Sequence, residues 1–482
     1  MRQAWRVADV RAAEKALMAM LPEGTLMQRA AAGLARRCAL LLREAGGIYG
    51  SQVVLLVGSG DNGGDTLYAG ARLAARGARV RALLLNPDRV HLAGLAALRR
   101  AGGFTVTDLP GRADLVLDGI VGIGASGGLR PDAAAIVARL PDLRATVVAV
   151  DVPSGVAVDT GDVPGDAVTA DVTVTFGGLK PAHVVGPAAV RAGQVELVDI
   201  GLTKTLRGDP AIRVADAADI ADWWPQPGPE SDKYRRGVVG VATGSARYPG
   251  AAILSVAGAC AGPTGMVRYA GSAYQDVVRA HPSVVAAPRV ADAGRVQTWV
   301  CGSGLGTDDN ARTELRSVLA TSLPVLLDAD ALTLLVDGRH AEDLRRDAPL
   351  VVTPHDGEFA RLAGEAPGPD RAAAACRLAA RMNAVVLLKG DRTIVATPSD
   401  EVWANPTGTS ALATAGSGDV LAGLLGSLLA AGLPPERAAV AAAYVHGLTG
   451  RRAALDGPVS ALHVASALRP VIRDTLRDAT GQ

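Results

Sequence analysis

Aromatic side chains are scarce in this chain: Phe, Trp and Tyr make up 3% of its 482 residues. So few aromatics argue against an aromatic-rich β-sandwich, whereas 49% hydrophobic residues, rich in Ala, Val and Leu, suit packed α/β layers. Cysteine is scarcer still. Cys38, Cys260, Cys301 and Cys376 lie far apart and form no C-x-x-C pair, so they read as reduced thiols of a cytosolic protein, not as a zinc site or disulfide frame. An excess of one charge is also missing: 49 basic minus 48 acidic residues leaves +1. No field draws such a protein to nucleic acid or to an anionic membrane. No apolar run reaches the ~20 residues that span a bilayer. The longest candidate, 421–433, is broken by glycine and fits a buried helix. The first six residues lack the apolar core of a signal peptide. The expectation is a soluble cytoplasmic protein with no nucleic-acid or membrane partner.

Glycine, by contrast, is plentiful at 57 residues. At roughly 150 residues per domain, a chain of this length makes two or three domains. The seam is Trp223-Trp224-Pro225-Gln226-Pro227-Gly228-Pro229-Glu230, where the prolines cannot continue a helix or a central strand. The expected division is a domain over 1–222, a linker over 223–230 and a domain over 231–482.

In the first half, 7–20 and 26–42 carry apolar residues at helical spacing. Short β-branched runs follow at 52–57, 80–85, 115–117, 146–150 and 172–176, separated by helix-compatible stretches. Strand, glycine turn and helix in repetition predict a Rossmann-like three-layer α/β/α domain. The second half is α/β as well, with strands expected at 238–242, 298–301, 325–327, 350–352, 385–388 and 393–396. Ligands in open α/β sheets bind beyond the carboxyl ends of strands, and nearly every one of these runs ends in glycine or acid.

The most informative stretch is Ala415-Gly416-Ser417-Gly418-Asp419, which leads into an apolar helix. The unpaired amides of such a helix start bind anions. An Asp there would repel a phosphate, so its useful role is to take a proton from a hydroxyl attacking phosphorus. The reading is phosphoryl transfer with Asp419 as base; the bland alternative is a Gly/Ser turn with Asp near an N-cap.

Four more strand ends accompany it. Gly302-Ser303-Gly304-Leu305-Gly306 permits close backbone approach, and Asp328-Ala329-Asp330 sets two acids after a strand. Thr353-Pro354-His355-Asp356-Gly357-Glu358 places a His between acids, and Lys389-Gly390-Asp391-Arg392-Thr393 offers cations and a turn for a polyphosphate. Singly, each has a dull explanation: a solvated loop His, helix N-cap chemistry at Asp328 and Asp330, surface charge at Lys389 and Arg392. Those explanations do not account for their joint placement after successive strands.

From Lys233 to the end, these motifs together resemble the ribokinase-like NAD(P)H-hydrate dehydratases. The resemblance implies a ribokinase-like α/β domain that dehydrates 6-hydroxylated NADH or NADPH with a nucleotide as phosphoryl donor. Asp419 would deprotonate the C6 hydroxyl, and Gly418 with neighbouring amides would hold the transferred charge. Lys389, Gly390, Asp391, Arg392 and Thr393 would line the donor, ADP giving AMP and phosphate. Ala251, Gly304 and His355 would contact the hydrated cofactor. Mg²⁺ would neutralise the donor phosphates, near Glu358 or Asp328.

The first half carries a second set of loops. Gly58-Ser59-Gly60-Asp61-Asn62-Gly63-Gly64-Asp65-Thr66 is no P-loop, for it lacks Gly-Lys-Ser/Thr. Asp118-Gly119-Ile120-Val121-Gly122-Ile123-Gly124-Ala125-Ser126-Gly127-Gly128 and Asp151-Val152-Pro153-Ser154-Gly155 end two further strands. Beside one sheet the three would form a single pocket. Over residues 1–215 they resemble the NAD(P)H-hydrate epimerase domain, which interconverts the R and S hydrates. The resemblance implies K⁺ at Asn62, Asp118 and Ser154, an oxygen set suited to a hard cation. Asp61, Asn62, Gly63, Gly64, Asp65 and residues Gly122 to Gly128 would hold the substrate's phosphates and ribose, with Asp151 as acid/base at C6. Asp61 and Thr66 depart from the family's Asn-Asn-Gly-Gly-Asp-Gly.

The two resemblances name successive steps on one damaged metabolite, which makes a bifunctional repair enzyme, expected to be a homo-oligomer, the leading reading. The alternatives are a ribokinase-type small-molecule kinase and a dehydratase whose first domain is a non-catalytic binding module.

Overall fold

The computed structural model describes residues 1–124, 127–336 and 346–480. The chain forms two compact units, Gln3–Ile212 and Arg213 onward, the latter joined by Met1–Arg2. Among the described residues no helix is long and apolar enough to cross a membrane.

The first unit is built on a seven-stranded parallel sheet. Its order is Phe104–Val106, Arg79–Leu84, Gln52–Val57, Leu115–Gly119, Thr146–Val150, Val172–Phe176, Gln194–Val198. The central strands are β-branched runs buried on both faces, as helices covering a parallel sheet require. One face packs under helices Thr25–Glu44 and Asp61–Ala74, whose Leu34, Cys38, Leu67 and Leu73 meet Val53, Leu55 and Leu117. Leu140 of the helix Leu140–Leu143 and Ala133 cover the other. From Gln52–Val57 the chain runs outward to two strands on one side, then returns to Leu115–Gly119 on the other. That reversal is a topological switch point, where a crevice opens at the carboxyl ends.

The second unit has a larger sheet of eleven strands, ordered Arg2–Ala4, Ile212–Val214, Val402–Ala404, Ile394–Ala396, Val385–Leu388, Leu350–Val352, Val325–Leu327, Thr298–Cys301, Val238–Ala242, Met266–Ala270, Val285–Ala287. It is parallel from Val385–Leu388 to Val285–Ala287; Ile394–Ala396 pairs antiparallel with both Val385–Leu388 and Val402–Ala404, and Ile212–Val214 pairs parallel with Val402–Ala404. Helix Ser417–Ala430 is buried along almost its whole length, as expected of the glycine-broken run. It crosses helix Pro249–Ala261 backbone against backbone: a Cβ on Gly423 would stand 1.9 Å from the Ser255 carbonyl oxygen, and one on Gly258 2.1 Å from that of Val420.

The proline-rich stretch is turn and coil, but the second unit begins ten residues before it. Helix Ala217–Trp223 sends Ile220, with the following Trp224, into the second unit's core, and Trp223 packs edge-on against Trp403. Residues 213–222, expected in the first domain, therefore pack in the second.

Candidate active sites

In the second unit the convergence follows from register. Ala242 pairs with Cys301, Cys301 with Leu327 and Leu327 with Val352, so the residues that follow these strands emerge at one level. Asp328 is almost wholly buried there. Its Oδ1 accepts from Thr353 Oγ1 (2.8 Å) and Lys389 Nζ (2.8 Å), and its Oδ2 from Ser303 Oγ (3.0 Å). Lys389 Nζ also lies 3.5 Å from Glu358 Oε2. Burial pulls the Lys389 pKa down, but Asp328 and Glu358 outweigh it and hold the ammonium charged.

His355 caps helix Asp356–Ala363. Its Nδ1 accepts the N–H groups of Gly357 (3.0 Å) and Glu358 (3.3 Å), while Glu358 Oε2 accepts the His355 N–H (2.8 Å). With Nδ1 an acceptor, the neutral ring carries its proton on Nε2, which lies 3.4 Å from Glu358 Oε1. The side chain is 56% exposed.

Asp419 lies in the first turn of Ser417–Ala430, after Gly416 at φ +86°. Burial and the neighbouring Asp328 push its carboxyl up to about 7, against the pull of the Ser303 hydroxyl and Lys389. A Cβ at Gly418 would lie 3.7 Å from Lys389 Nζ and 4.0 Å from Asp328 Oδ2, so the helix start faces the ion pair. Beneath it, burial drives His446 down to about 4, and the neutral ring's Nε2–H donates to the Ser417 carbonyl at 2.9 Å. Sequence reasoning missed His446; mid-helix in Pro435–Ala454, it carries no local signal.

The structure thus gathers Asp419, Gly418, Lys389, Asp328, Glu358 and His355, and sets Gly304 against Ala251, where an added Cβ would be 2.7 Å from the Ala251 Cβ. The turn of Gly390 to Thr393 closes on itself: Thr393 Oγ1 donates to the Gly390 carbonyl (3.0 Å), and the Asp391 carbonyl would meet a Cβ on Gly408 at 1.8 Å. Arg392 turns its guanidinium to the Pro406 carbonyl (2.9 Å). Asp330 does not share Asp328's partners, because its Oδ2 accepts the Gly306 N–H (2.9 Å). Among the described residues no group of three or more His, Cys, Asp or Glu is placed to hold a metal.

In the first unit, the expected loop through Thr66 is shorter than its sequence suggests. Helix Asp61–Ala74 begins straight after Gly60, so Asp61 to Thr66 form its first turns. Thr66 is therefore helical: its hydroxyl donates to the Asn62 carbonyl (2.7 Å) and lies where a Cβ on Gly119 would fall, at 1.9 Å. A glycine is not needed there.

Asp61, Asn62, Asp65, Gly122, Ile123, Gly124, Gly127, Gly128 and Asp151 line one cavity of about 1460 Å³, so the three loops do form a single pocket. Gly63 and Gly64 instead face the protein, against Gly58 and against Met27 with His91. Ala125 and Ser126 lie outside the described residues. Asn62 Nδ2 and Asp65 Oδ1 are buried without a hydrogen-bond partner among the described residues. Burial, with Asp151 and Asp61 nearby, raises the Asp65 carboxyl well above its usual range. Behind the lining, Ser154 Oγ donates to Asp118 Oδ1 (2.6 Å) and the Ser154 N–H to Oδ2 (2.8 Å). Burial pushes Asp118 up to about 6 despite these bonds.

Asp151 keeps an unusual backbone, φ +68°. Its Oδ1 accepts from Lys180 Nζ (2.6 Å) and Thr175 Oγ1 (2.9 Å). Burial opposes ionisation, but Lys180 outweighs it and keeps the carboxyl below its ordinary value. Lys180, Thr175 and His183 were missed by sequence reasoning; the signal was Lys180-Pro181-Ala182-His183 just past a strand end.

An open sheet whose strand ends set a buried Asp–Lys pair beside a glycine-led helix start defines a ribokinase-like domain, here joined to a Rossmann-like one. A family profile described as NAD(P)H-hydrate dehydratase matches residues 239–469, and one described as YjeF-related protein N-terminus matches residues 23–182. The chain is 50% identical over 98% of its length to the bifunctional NAD(P)H-hydrate repair enzyme Nnr of Mycobacterium leprae (strain TN), covering 99% of that protein. It is 51% identical to the protein of the same name from Mycobacterium tuberculosis (strain ATCC 25618 / H37Rv), over 91% of each chain. Among solved structures, the ADP/ATP-dependent NAD(P)H-hydrate dehydratase from Bacillus subtilis, co-crystallized with ATP/Mg²⁺, is similar with a TM-score of 0.50 and 26% identity. That match covers 55% of this chain and 99% of the other. The chain belongs to the family of bifunctional NAD(P)H-hydrate repair enzymes.

Proposed function

We propose that this chain repairs hydrated NADH and NADPH in two steps, interconverting the R and S hydrates in the first unit and dehydrating the S form in the second. The observation that carries the reading is Asp419: a carboxyl pushed up to about 7 at a glycine-led helix start. Such a group is half ionised near neutral pH and can take the C6 hydroxyl proton as that oxygen attacks the donor's terminal phosphorus. Amides at Ser417 and Gly418 hold the developing charge. Phosphate then leaves C6 more readily than hydroxide, and elimination restores the dihydronicotinamide. The donor is read as ADP, lying along Lys389 to Thr393, with Ala251, Gly304 and His355 beside the hydrated ring. Asp328 and Glu358 do not suit Mg²⁺, because Lys389 already pairs with both. Any Mg²⁺ would arrive on the donor phosphates.

In the first unit Asp151 serves as acid/base at C6, with Asp61, Asn62 and Asp65 and with Gly122, Ile123, Gly124, Gly127 and Gly128 along the rest of the substrate. The side-chain oxygens of Asn62, Asp118 and Ser154 are a donor set that suits K⁺, and Asp118 is buried without a cation close by among the described residues. K⁺ would supply the positive charge this floor lacks. We read the protein as cytoplasmic and homo-oligomeric.

The test mixes the full chain with R and S hydrates of NADH, K⁺, Mg²⁺ and either ADP or ATP, and follows regenerated NADH by absorbance. Conversion of both epimers faster than spontaneous exchange is expected. A stall at the S fraction removes the epimerase assignment. No turnover with either nucleotide removes the dehydratase as well and favours a small-molecule kinase.

A further inference from the structure

Asp151 occupies the left-handed region, which costs a non-glycine residue of order 1 kcal/mol or more. The surrounding contacts hold it there. Its N–H donates to the Val174 carbonyl (2.8 Å), and its own carbonyl accepts from His183 Nε2 (2.9 Å). That direction is set by His183 Nδ1, which accepts the Lys180 N–H (3.0 Å) and so leaves the ring proton on Nε2. Oδ1 accepts from Lys180 Nζ, Thr175 Oγ1 and, at 3.4 Å, the Phe176 N–H. Only Oδ2 takes no hydrogen bond among the described residues, and Asp151 lines the cavity.

Lys180 is 1% exposed. Its three N–H groups are accounted for by Asp151 Oδ1, Thr175 Oγ1 (2.9 Å) and the Phe176 carbonyl (3.1 Å). None remains for a ligand, so Lys180 acts through Asp151. We propose that Lys180 is a positioning residue for the C6 epimerisation, fixing Asp151 as a carboxylate base that presents Oδ2 to the substrate. This rests on the epimerase reading of the first unit. The C6 hydroxyl passes its proton to Oδ2 as the N1–C6 bond breaks, the oxygen becoming an aldehyde and the bonding pair going to N1, conjugated with the carboxamide. N1 then closes on the other face of the aldehyde, the oxygen regains the proton from Oδ2, and the enzyme is returned unchanged.

The groups that face Asp151 are few. Lys180 and His183 come from the turn after the strand Val172–Phe176, Asp65 from helix Asp61–Ala74 and Glu14 from helix Val7–Met18. His183 is buried and neutral, and burial raises both Glu14 and Asp65. Among the described residues the cation against the carboxylate is therefore Lys180, and removing it should raise the pH at which Asp151 takes up a proton.

The experiment uses the full chain with Lys180→Met and Lys180→Arg. It measures R/S exchange against pH, and the Asp151 carboxyl by ¹³C NMR titration, assigned with Asp151→Asn. Lys180→Met should lower kcat for exchange about 10- to 100-fold at neutral pH with little change in KM. The acid limb and the carboxyl titration should both move up by at least about one pH unit, and Lys180→Arg should restore them. A limb and titration left at their native positions in Lys180→Met overturn the proposal, whatever happens to the rate. If Lys180→Met does not fold, Thr175→Val removes a donor from the same oxygen and should move both readouts upward by less; no movement again overturns it. Native protein without exchange activity would remove the epimerase reading alone, because the carboxyl titration still reports on Lys180.

Discussion

Lys389 Nζ stands 2.8 Å from Asp328 Oδ1, and the ammonium that a nucleotide phosphate was expected to claim is thereby shared between two protein carboxylates. Lys389 pairs with Asp328 and Glu358, and its charge also acts on Asp419 at the start of helix Ser417–Ala430. Removing it leaves buried charge unpaired, which typically costs about 3–5 kcal/mol. Lys389→Met should therefore lower the unfolding midpoint of the second unit. Because Lys389 draws the Asp419 carboxyl downward, the same variant should shift the acid limb of dehydration to higher pH. A limb at its native position would mean that Lys389 does not act on Asp419.

Asp419→Asn should slow nucleotide-dependent dehydration by about 10²- to 10⁴-fold, the usual worth of a positioned base, with hydrate binding retained. In the native enzyme the base form appears as pH rises through about 7, so kcat/KM should climb across that range and then level. Regenerated NADH absorbance from pH 5.5 to 9 gives the profile. Turnover retained in Asp419→Asn would remove Asp419 as base.

The same residue makes a stability prediction whose sign is unusual for an acid. Its folded pKa lies above the unfolded value, so its ionisation opposes folding, and that cost is relieved as pH falls from 7 towards 4. His446 acts the other way: held neutral with a pKa near 4, it costs stability as pH falls from 6.5 to 4, by up to about 3 kcal/mol. The two nearly cancel in the native second unit. Asp419→Asn should unmask His446, giving a domain more stable than native at pH 8 and more acid-sensitive below pH 6. Denaturant unfolding at pH 8, 6 and 4.5 checks both halves.

Much of this arrangement was legible in the sequence. Runs such as 146–150, 238–242 and 298–301 are short and apolar between breakers, and they became strands with those bounds. Strands Gln194–Val198 and Val285–Ala287 escaped notice because edge strands, half exposed, need not be apolar. Strand Met266–Ala270 escaped for another reason: Arg268 interrupts its pattern and finds the Ala293 carbonyl at 2.6 Å. The glycine loops marked the right strand ends, but the pairing of Lys389 with Asp328 spans 61 residues and that of Lys180 with Asp151 spans 29. No local pattern encodes such pairs. They arise only when parallel strands bring distant ends to one level.

Asp118 offers a test of the proposed K⁺. A fully buried carboxyl pushed up to about 6 by burial is one that a cation would restore to ordinary ionisation. Replacing choline chloride by KCl at equal ionic strength should raise the melting temperature of the first unit and leave the second unchanged. Asp118→Asn should abolish that increment. An equal response to Na⁺, K⁺ and choline would remove K⁺ from this site.

Two glycines of the second unit should respond in opposite directions to the same methyl group. In a helix interior Gly→Ala ordinarily stabilises by about 1 kcal/mol. Gly250, in the first turn of Pro249–Ala261, would place its Cβ in open space, so Gly250→Ala should gain a few tenths to about 1 kcal/mol. Gly423 has no such room, since its Cβ would stand 1.9 Å from the Ser255 carbonyl oxygen and 2.8 Å from the Ala259 nitrogen. Backbone cannot rotate aside as a side chain can, so the helices must part, and overpacking of this kind costs about 1–3 kcal/mol or more. The loss outweighs the propensity gain, and Gly423→Ala should destabilise the unit. Because Asp419 rides on the same helix, parting should also slow dehydration more than it weakens hydrate binding. A Gly423→Ala protein as stable and active as Gly250→Ala would show that the two helices do not cross this closely.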